Sequence, residues 1–159
     1  MTAGPQRMTL DDGSYRPVPA INDRDAPYWT GGERGQLMLQ RCRSCDHVIH
    51  PPVLLCPWDR SPDLEWEAMS GRATVESFTE NLHPFLPGFP VPSVIALVDV
   101  EEDPTARILT NLIEVDAADV AIGMAVEVVF QRLESDDGPD VYLPLFRPRG
   151  PVTATHGGD

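Results

Sequence analysis

The residues of this chain best suited to chemistry are its three cysteines, which all lie in one short stretch. Cys42 and Cys45 form a Cys-x-x-Cys pair, and after ten intervening residues Cys56 opens a second half-motif, Cys-Pro-Trp-Asp. Asp59 stands where a fourth cysteine would complete the pattern. Two facing half-motifs of this kind can place four ligands around one tetrahedral zinc ion.

The predicted ligand set therefore combines the three thiols with one carboxylate: Cys42, Cys45, Cys56 and Asp59. A carboxylate oxygen is an accepted zinc ligand, although closed structural sites favour thiolates. His47 or His50 could replace Asp59 if the loop between the half-motifs folds back. We expect a structural ion, because bound zinc would stabilise a lobe too small to have much core of its own. Two alternatives stay open: a catalytic zinc with an open coordination position, and a lost ion that leaves the cysteines as small buried apolar side chains.

A second candidate site is the long connection formed by residues 81–92, which contains four prolines and two phenylalanines. Loops of this length inside compact domains are usually functional or mobile. A stiff, apolar loop suits insertion into a partner or an apolar ligand channel, although it could also fold over the open end of its own barrel. The residues assigned to this contact are Asn81, His83, Phe85 and Phe89.

Neither site contains the residues of a catalytic centre. The sequence offers no Ser or Cys nucleophile with a nearby basic partner, no phosphate-cradling glycine loop and no distinctive carboxylate pair. We therefore predict no catalytic residue. Nucleic-acid binding is disfavoured as well, because 12 basic against 25 acidic residues give a formal charge of −13, whereas neutralising phosphates requires a basic surface.

The composition bounds the architecture that must position these residues. At 159 residues the chain is long enough for one ordinary domain or two very small ones, and its 17 prolines and 12 glycines predict many turns and few long helices. The first thirty residues hold no signal-peptide pattern, and no segment approaches the length of a membrane span. Three cysteines cannot all pair. The predicted location is therefore the cytoplasm, a reducing compartment.

The N-terminal part of the chain divides into a tail and a small lobe. Residues 1–24 are polar and show no periodicity, which predicts a flexible tail. Asp25 is a candidate cap for a short helix with Pro27 in its first turn. Residues 36–41 alternate as a strand leading into the first half-motif, and residues 64–67 could pair back on it. Residues 25–69 thus form the predicted helical segment and zinc-ribbon lobe.

From Gly71 onward the pattern is all-β, with a short helical segment at residues 116–123. Five strands are predicted, at residues 72–80, 93–100, 107–114, 125–133 and 141–146. Five strands with a short helix between the third and fourth match the five-stranded Greek-key barrel called the OB-fold. The predicted fold class is therefore mainly β, with a short N-terminal helical segment, a small zinc ribbon and an OB barrel at residues 70–149. Residues 150–159 are a predicted tail.

An ordered series of short motifs also resembles a known family. The series comprises Tyr28-Trp29, Leu37-x-Leu39-Gln40-Arg41-Cys42-x-x-Cys45, Pro51-Pro52, Cys56-Pro57, Gly71-Arg72-x-Thr74-Val75-x-Ser77-Phe78-Thr79, Val94-Ile95-Ala96-Leu97-Val98, Ile122-Gly123-Met124-x-Val126-Glu127-Val128-Val129-Phe130 and Leu143-Pro144-Leu145-Phe146-Arg147-Pro148. Across about residues 25–149 it is similar to the acyl-CoA-associated family, long catalogued as domain of unknown function thirty-five, in which a rubredoxin-like zinc ribbon precedes an OB-fold.

The resemblance implies a non-catalytic accessory subunit. Proteins of this family are typically partners of thiolase-superfamily enzymes, including the sterol-carrier-protein-like retro-aldolases of steroid side-chain breakdown. The small subunit would help form the acyl-CoA channel, while the chemistry resides on the thiolase-like chain. Asp59 departs from the family pattern, in which a fourth cysteine holds this position. The competing interpretations are a stand-alone zinc-dependent or CoA-thioester hydrolase and a nucleic-acid binder, the latter disfavoured by the charge.

Overall fold

The computed structural model describes residues 7–9, 15–84, 90–135 and 138–150. Its first strands, Arg7–Thr9 (β1) and Tyr15–Pro17 (β2), pair antiparallel. Val18 follows them and is only 6% exposed, in a small cluster with Leu133 and Val141. The described part of the segment predicted to be a flexible tail therefore contains a strand pair and a buried core residue.

A short helix at Ala26–Thr30 (α1) follows and continues into a 3₁₀ turn at Gly31–Arg34. Asp25 occupies the N-cap position, as predicted, but its carboxylate does not cap the helix. It instead accepts hydrogen bonds from Asn22 N and Asn22 Nδ2, each at 2.9 Å. No helix in the described part of the chain has the length and hydropathy that crossing a bilayer requires.

Three strands form the sheet of the ribbon lobe: Leu37–Cys42 (β3), Val48–Ile49 (β4) and Leu64–Met69 (β5). The order is β4-β3-β5, and both pairings are antiparallel. The predicted pairing of residues 64–67 with the ribbon is confirmed, and the partner strand is β3, in a register that runs from Leu64↔Cys42 to Met69↔Leu37. The central strand β3 thus leads directly into the first half-motif.

The remaining strands close into a five-stranded barrel: Arg72–Asn81 (β6), Ser93–Val100 (β7), Asp103–Leu112 (β8), Ala125–Leu133 (β9) and Val141–Pro148 (β10). Their order is β10-β8-β7-β6-β9, with β10 parallel to β8 and the other neighbours antiparallel. A 3₁₀ turn at Ala117–Asp119 lies between the third and fourth barrel strands. The arrangement confirms the predicted OB barrel. The third barrel strand begins at Asp103 rather than Arg107, because the preceding turn occupies only residues 101–102.

Barrel and ribbon share one apolar core. Every second residue of β7, from Val94 to Val100, points inward and is at most 4% exposed. Leu37 and Leu39 from β3 belong to the same buried cluster as these residues and Phe146 from β10. The ribbon sheet is therefore packed on the barrel and does not hang from it by a linker.

A partly buried carboxylate joins the two parts at the start of β8. Asp103 Oδ2 accepts a hydrogen bond from Val48 N at 3.0 Å and lies 3.1 Å from His47 Nδ1, while Oδ1 accepts from Thr105 N and Thr105 Oγ1. Burial opposes ionisation of the carboxyl, but the hydrogen bonds from Thr105, Val48 and His47 lower the pKa of Asp103 to about 2. We call this set of contacts the Asp103 clasp.

Close contact also fixes the helical segment on the barrel. A Cβ at Gly32 would lie 2.4 Å from Tyr142 Cβ and 2.5 Å from Phe130 Cδ1. Only glycine therefore fits between the 3₁₀ turn and strands β9 and β10 without a shift of the backbone.

Candidate metal centre and barrel mouth

The two half-motifs fold into turns with the same backbone hydrogen bonds. In the first, Cys42 N donates to His47 O and Asp46 N donates to Cys42 O. In the second, Cys56 N donates to Ser61 O and Arg60 N donates to Cys56 O. The fifth residue of each turn has a positive φ, 65° at Asp46 and 62° at Arg60. Asp59 therefore occupies in the second turn the place that Cys45 occupies in the first.

These paired turns bring the four predicted ligands together. One ligand atom from each of Cys42, Cys45, Cys56 and Asp59 lies within 4.8 Å of all the others. Cys45 Sγ is 3.5 Å from Cys56 Sγ, and Cys42 Sγ is 3.7 Å and 3.8 Å from the two Asp59 oxygens. A tetrahedron built with zinc–sulfur bonds of about 2.3 Å and a zinc–oxygen bond of about 2.1 Å has edges of about 3.6–3.8 Å. The donor set therefore fits a tetrahedral metal ion.

The ionisation of these groups suits a metal site. The Ser61 N–H and the Ser44 hydroxyl donate to the Asp59 carboxylate and lower its pKa to about 2, so it is charged at neutral pH. Burial opposes ionisation of Cys42, but the N–H groups of Cys45 and Ser44 donate to its sulfur and give it a lowered pKa. The His47 N–H favours the Cys45 thiolate, but burial and the neighbouring Cys56 prevail and raise the pKa of Cys45 to about 11. A cation placed among the sulfurs would relieve the crowding of their negative charges.

Neither histidine considered as a substitute ligand belongs to the cluster. His47 is engaged by the Asp103 clasp, and its ring stacks on Trp58 with centroids 4.3 Å apart. His50 packs against Tyr28, with ring centroids 4.8 Å apart, and its Nδ1 is buried with no hydrogen-bond partner among the described residues. Burial lowers the pKa of His50 to about 4.

The connection predicted to contact a partner or substrate leaves the barrel beside an open cleft. The cleft has a volume of about 410 Å³ and mixes apolar with acidic groups; its lining residues are Phe78, Glu80, Pro92, Ser93, Val94, Asp116, Ala117 and Ala118. Asn81 ends β6, and its side-chain oxygen accepts a hydrogen bond from the N–H of the exposed His83. Phe85 and Phe89 lie outside the described residues.

Sequence reasoning missed the Asp103 clasp. Along the sequence, Asp103 lies 55 positions from Val48 and 56 positions from His47, so no local pattern indicates these contacts. The one available signal is the sequence Asp103-Pro104-Thr105, in which an aspartate can accept hydrogen bonds from the residue two positions on.

Two family models match adjacent segments of the chain. A model described as the rubredoxin-like zinc ribbon domain of ChsH2 matches residues 29–65. A model described as the C-terminal OB-fold domain of ChsH2 matches residues 66–131. The border between them falls inside β5, the last strand of the ribbon sheet.

The chain is also similar to curated proteins of the same family. The chain is 38% identical over 130 residues to the 3-oxo-4,17-pregnadiene-20-carboxyl-CoA hydratase alpha subunit of Mycobacterium tuberculosis, an alignment that covers 82% of this chain and 39% of the relative. It is 35% identical over 121 residues to a DUF35 domain-containing scaffold protein of Methanocaldococcus jannaschii, covering 73% of this chain and 84% of the relative. The chain spans about two fifths of the length of the hydratase alpha subunits it matches.

A solved structure shares the fold as well. The Ltp2-ChsH2(DUF35) aldolase contains a chain that is 36% identical and superimposes with a TM-score of 0.65. The match covers 82% of this chain and 98% of that chain.

His50, a partly buried residue whose Nδ1 is fully buried, predicts a window of acid sensitivity. Its pKa is about 4 in the folded chain, against about 6.5 for an unperturbed histidine. Between these values the unfolded chain binds more protons, so stability falls as the pH is lowered from about 6.5 to 4 and this contribution is constant below 4. The loss amounts to at most about 3 kcal/mol.

Urea unfolding of the chain and of His50→Gln across this range measures the effect. The variant should show a shallower fall in stability, whereas His83→Gln, at an exposed histidine, should match the parent. Protonation of the metal ligands acts on all three proteins and cancels in the comparison. Equal slopes for the parent and His50→Gln would contradict the assignment.

Proposed function

The chain belongs to the DUF35 family in which a ChsH2-type zinc ribbon is followed by an OB-fold, and from this premise we propose that it is a non-catalytic accessory subunit of a thiolase-superfamily enzyme. One observation carries the proposal: this chain covers 98% of a chain from the Ltp2-ChsH2(DUF35) aldolase at 36% identity. The likeness to a hydratase alpha subunit named for a steroid-CoA substrate supports the same substrate class. The proposed partner is accordingly a steroid side-chain retro-aldolase that acts on a CoA thioester.

We assign to the acyl-CoA channel the open cleft beside the 81–92 connection, which we call the barrel mouth. Apolar side chains are exposed at both ends of the 81–92 connection, with Leu82 61% and Val91 37% exposed, and Phe78 in the cleft is 36% exposed. Glu80 and Asp116 line the same cleft, and their negative charge would repel the phosphates of CoA. We therefore place the acyl part of the substrate here and the nucleotide on the partner.

The proposed contact residues remain those of the connection: Asn81, His83, Phe85 and Phe89. Asn81 and His83 lie at its described start, next to the cleft. The partner would supply the walls that this shallow mouth lacks.

For the metal centre we propose structural zinc held by Cys42, Cys45, Cys56 and Asp59. The ion would fix the two turns to each other, and its four positions would be filled by the protein. Residues 25–69 then act as the metal-braced lobe and residues 70–149 as the barrel. Three cysteines that make no disulfide are consistent with a reducing, cytoplasmic location.

Co-expression with a candidate thiolase-like aldolase tests the partnership. We expect the two chains to purify together and the complex to cleave a steroid-CoA substrate, with little or no activity for either chain alone.

Leu82→Ser should lower the turnover of the complex because it removes an apolar contact beside the channel. The matched control, Ile122→Ser, removes a similarly exposed apolar side chain (72% against 61%) in the turn before β9 and should leave turnover unchanged. Separate purification together with full activity of the enzyme alone would overturn the proposal.

Asp59→Cys tests the metal assignment. Thiolate is the preferred ligand of closed zinc sites, so the variant should bind zinc more tightly. In the zinc-saturated protein, each tenfold gain in affinity should raise the free energy of unfolding by about 1.4 kcal/mol. Competition with a chromophoric chelator, together with thermal unfolding, gives both quantities. Turnover of the partner should be little changed. A variant with the same zinc affinity as the parent would contradict the assignment of Asp59 as a metal ligand.

A further inference from the structure

Two of the thiols at the metal centre lie close enough to be joined to each other. Cys45 Sγ and Cys56 Sγ are 3.5 Å apart, and a disulfide bond is about 2.0 Å long, so an approach of about 1.5 Å would suffice. The pair bridges the two half-motifs and does not lie within one of them. Oxidation of this pair would therefore fasten together the same turns that a metal ion fastens.

Access to the pair is one-sided. Cys42 and Cys56 are fully buried at 0% exposure, whereas Cys45 is partly exposed and Asp59 beside it is exposed. A small oxidant therefore meets Cys45 first, and Cys56, whose sulfur is 3.5 Å away, is the thiol of the other half-motif that can resolve an oxidised Cys45.

Because the fourth ligand is Asp59 and not a cysteine, oxidation of this pair would leave too few strong ligands to hold the metal. With Cys45 and Cys56 joined, the remaining ligands are Cys42 and the exposed carboxylate of Asp59. A single thiolate and a solvent-exposed carboxylate are half of the set that a closed zinc site requires, and the weaker half.

We propose that Cys45 and Cys56 form a peroxide-sensitive thiol pair whose oxidation to a disulfide releases the metal. The release rests on the metal site proposed above, whereas disulfide formation rests only on the placement of the two sulfurs. The metal centre of this chain is then a site of reversible oxidative modification in addition to a structural brace.

The chemistry balances with hydrogen peroxide as the oxidant. The Cys45 sulfur, deprotonated as a metal ligand or after losing its proton to solvent in the metal-free chain, attacks one peroxide oxygen, the O–O bond breaks, and a sulfenic acid and a hydroxide ion form. The Cys56 thiolate then attacks the Cys45 sulfur, so that the S–S bond forms, the S–O bond breaks and a second hydroxide leaves. The two sulfurs supply the two electrons that reduce the peroxide.

The test treats the full-length chain, both zinc-loaded and metal-free and reduced, with hydrogen peroxide. We expect an intact mass lower by two hydrogen atoms, a non-reducing peptide map that links Cys45 to Cys56, and stoichiometric zinc release to a chromophoric chelator. Dithiothreitol should reverse all three changes. Cys45→Ser should abolish the disulfide, whereas Cys42→Ser, which keeps the pair, should still form it in the metal-free chain.

Three results would overturn the proposal: a disulfide that includes Cys42, oxidation of Cys45 to sulfinic acid without a cross-link, or a Cys45–Cys56 disulfide that leaves the zinc bound. A purified chain that never takes up zinc would contradict the proposed metal site instead. The disulfide measurement on the metal-free chain would then decide the thiol pair separately.

Discussion

The packing of the ribbon sheet on the barrel is the constraint on which the rest of this structure depends. Leu37 and Leu39 of the ribbon are each 1% exposed and lie in one cluster with Val98 and Phe146 of the barrel. Full burial of such a side chain contributes about 2 kcal/mol relative to leaving it exposed, so these contacts hold the two parts together. The Asp103 clasp also fixes the orientation of the ribbon on the barrel, because its hydrogen bonds hold His47 and Val48 in place. The metal cluster therefore has a defined position relative to the barrel.

The two half-motifs lie outside the shared apolar core, and a bound ion would stabilise them there. Around the half-motifs, Cys42, Ile49 and Cys56 form a separate small buried cluster. A cluster of this size cannot offset the entropy of ordering two turns and the loop between them, and metal–ligand bonds can. Asp59 weakens this brace without changing the backbone of its turn, since the second turn repeats the hydrogen bonds of the first. The barrel mouth, at another part of the molecule, is then free to serve the proposed partner.

Local patterns in the sequence predict most of this architecture. The nearly continuous apolar run at residues 93–100 predicts a strand with the observed bounds, and the closed barrel places its Val94, Ala96 and Val98 inward. Cysteine spacing predicts that Cys42, Cys45, Cys56 and Asp59 come together, because the two half-motifs have the same length and fold into the same turn. Contacts between distant residues carry no such signal. Val18 is buried only because Leu133 and Val141 lie there, and Asp103 becomes a clasp only because β4 packs beside β8.

The central claim is that this chain is a metal-braced accessory subunit and not an enzyme in its own right. Native mass spectrometry of the complex co-purified with a thiolase-like aldolase tests it most directly, because one spectrum reports both the subunit stoichiometry and the bound metal. We expect a hetero-oligomer in which each copy of this chain carries one zinc ion. A chain that stays separate from the aldolase, with or without zinc, would contradict it.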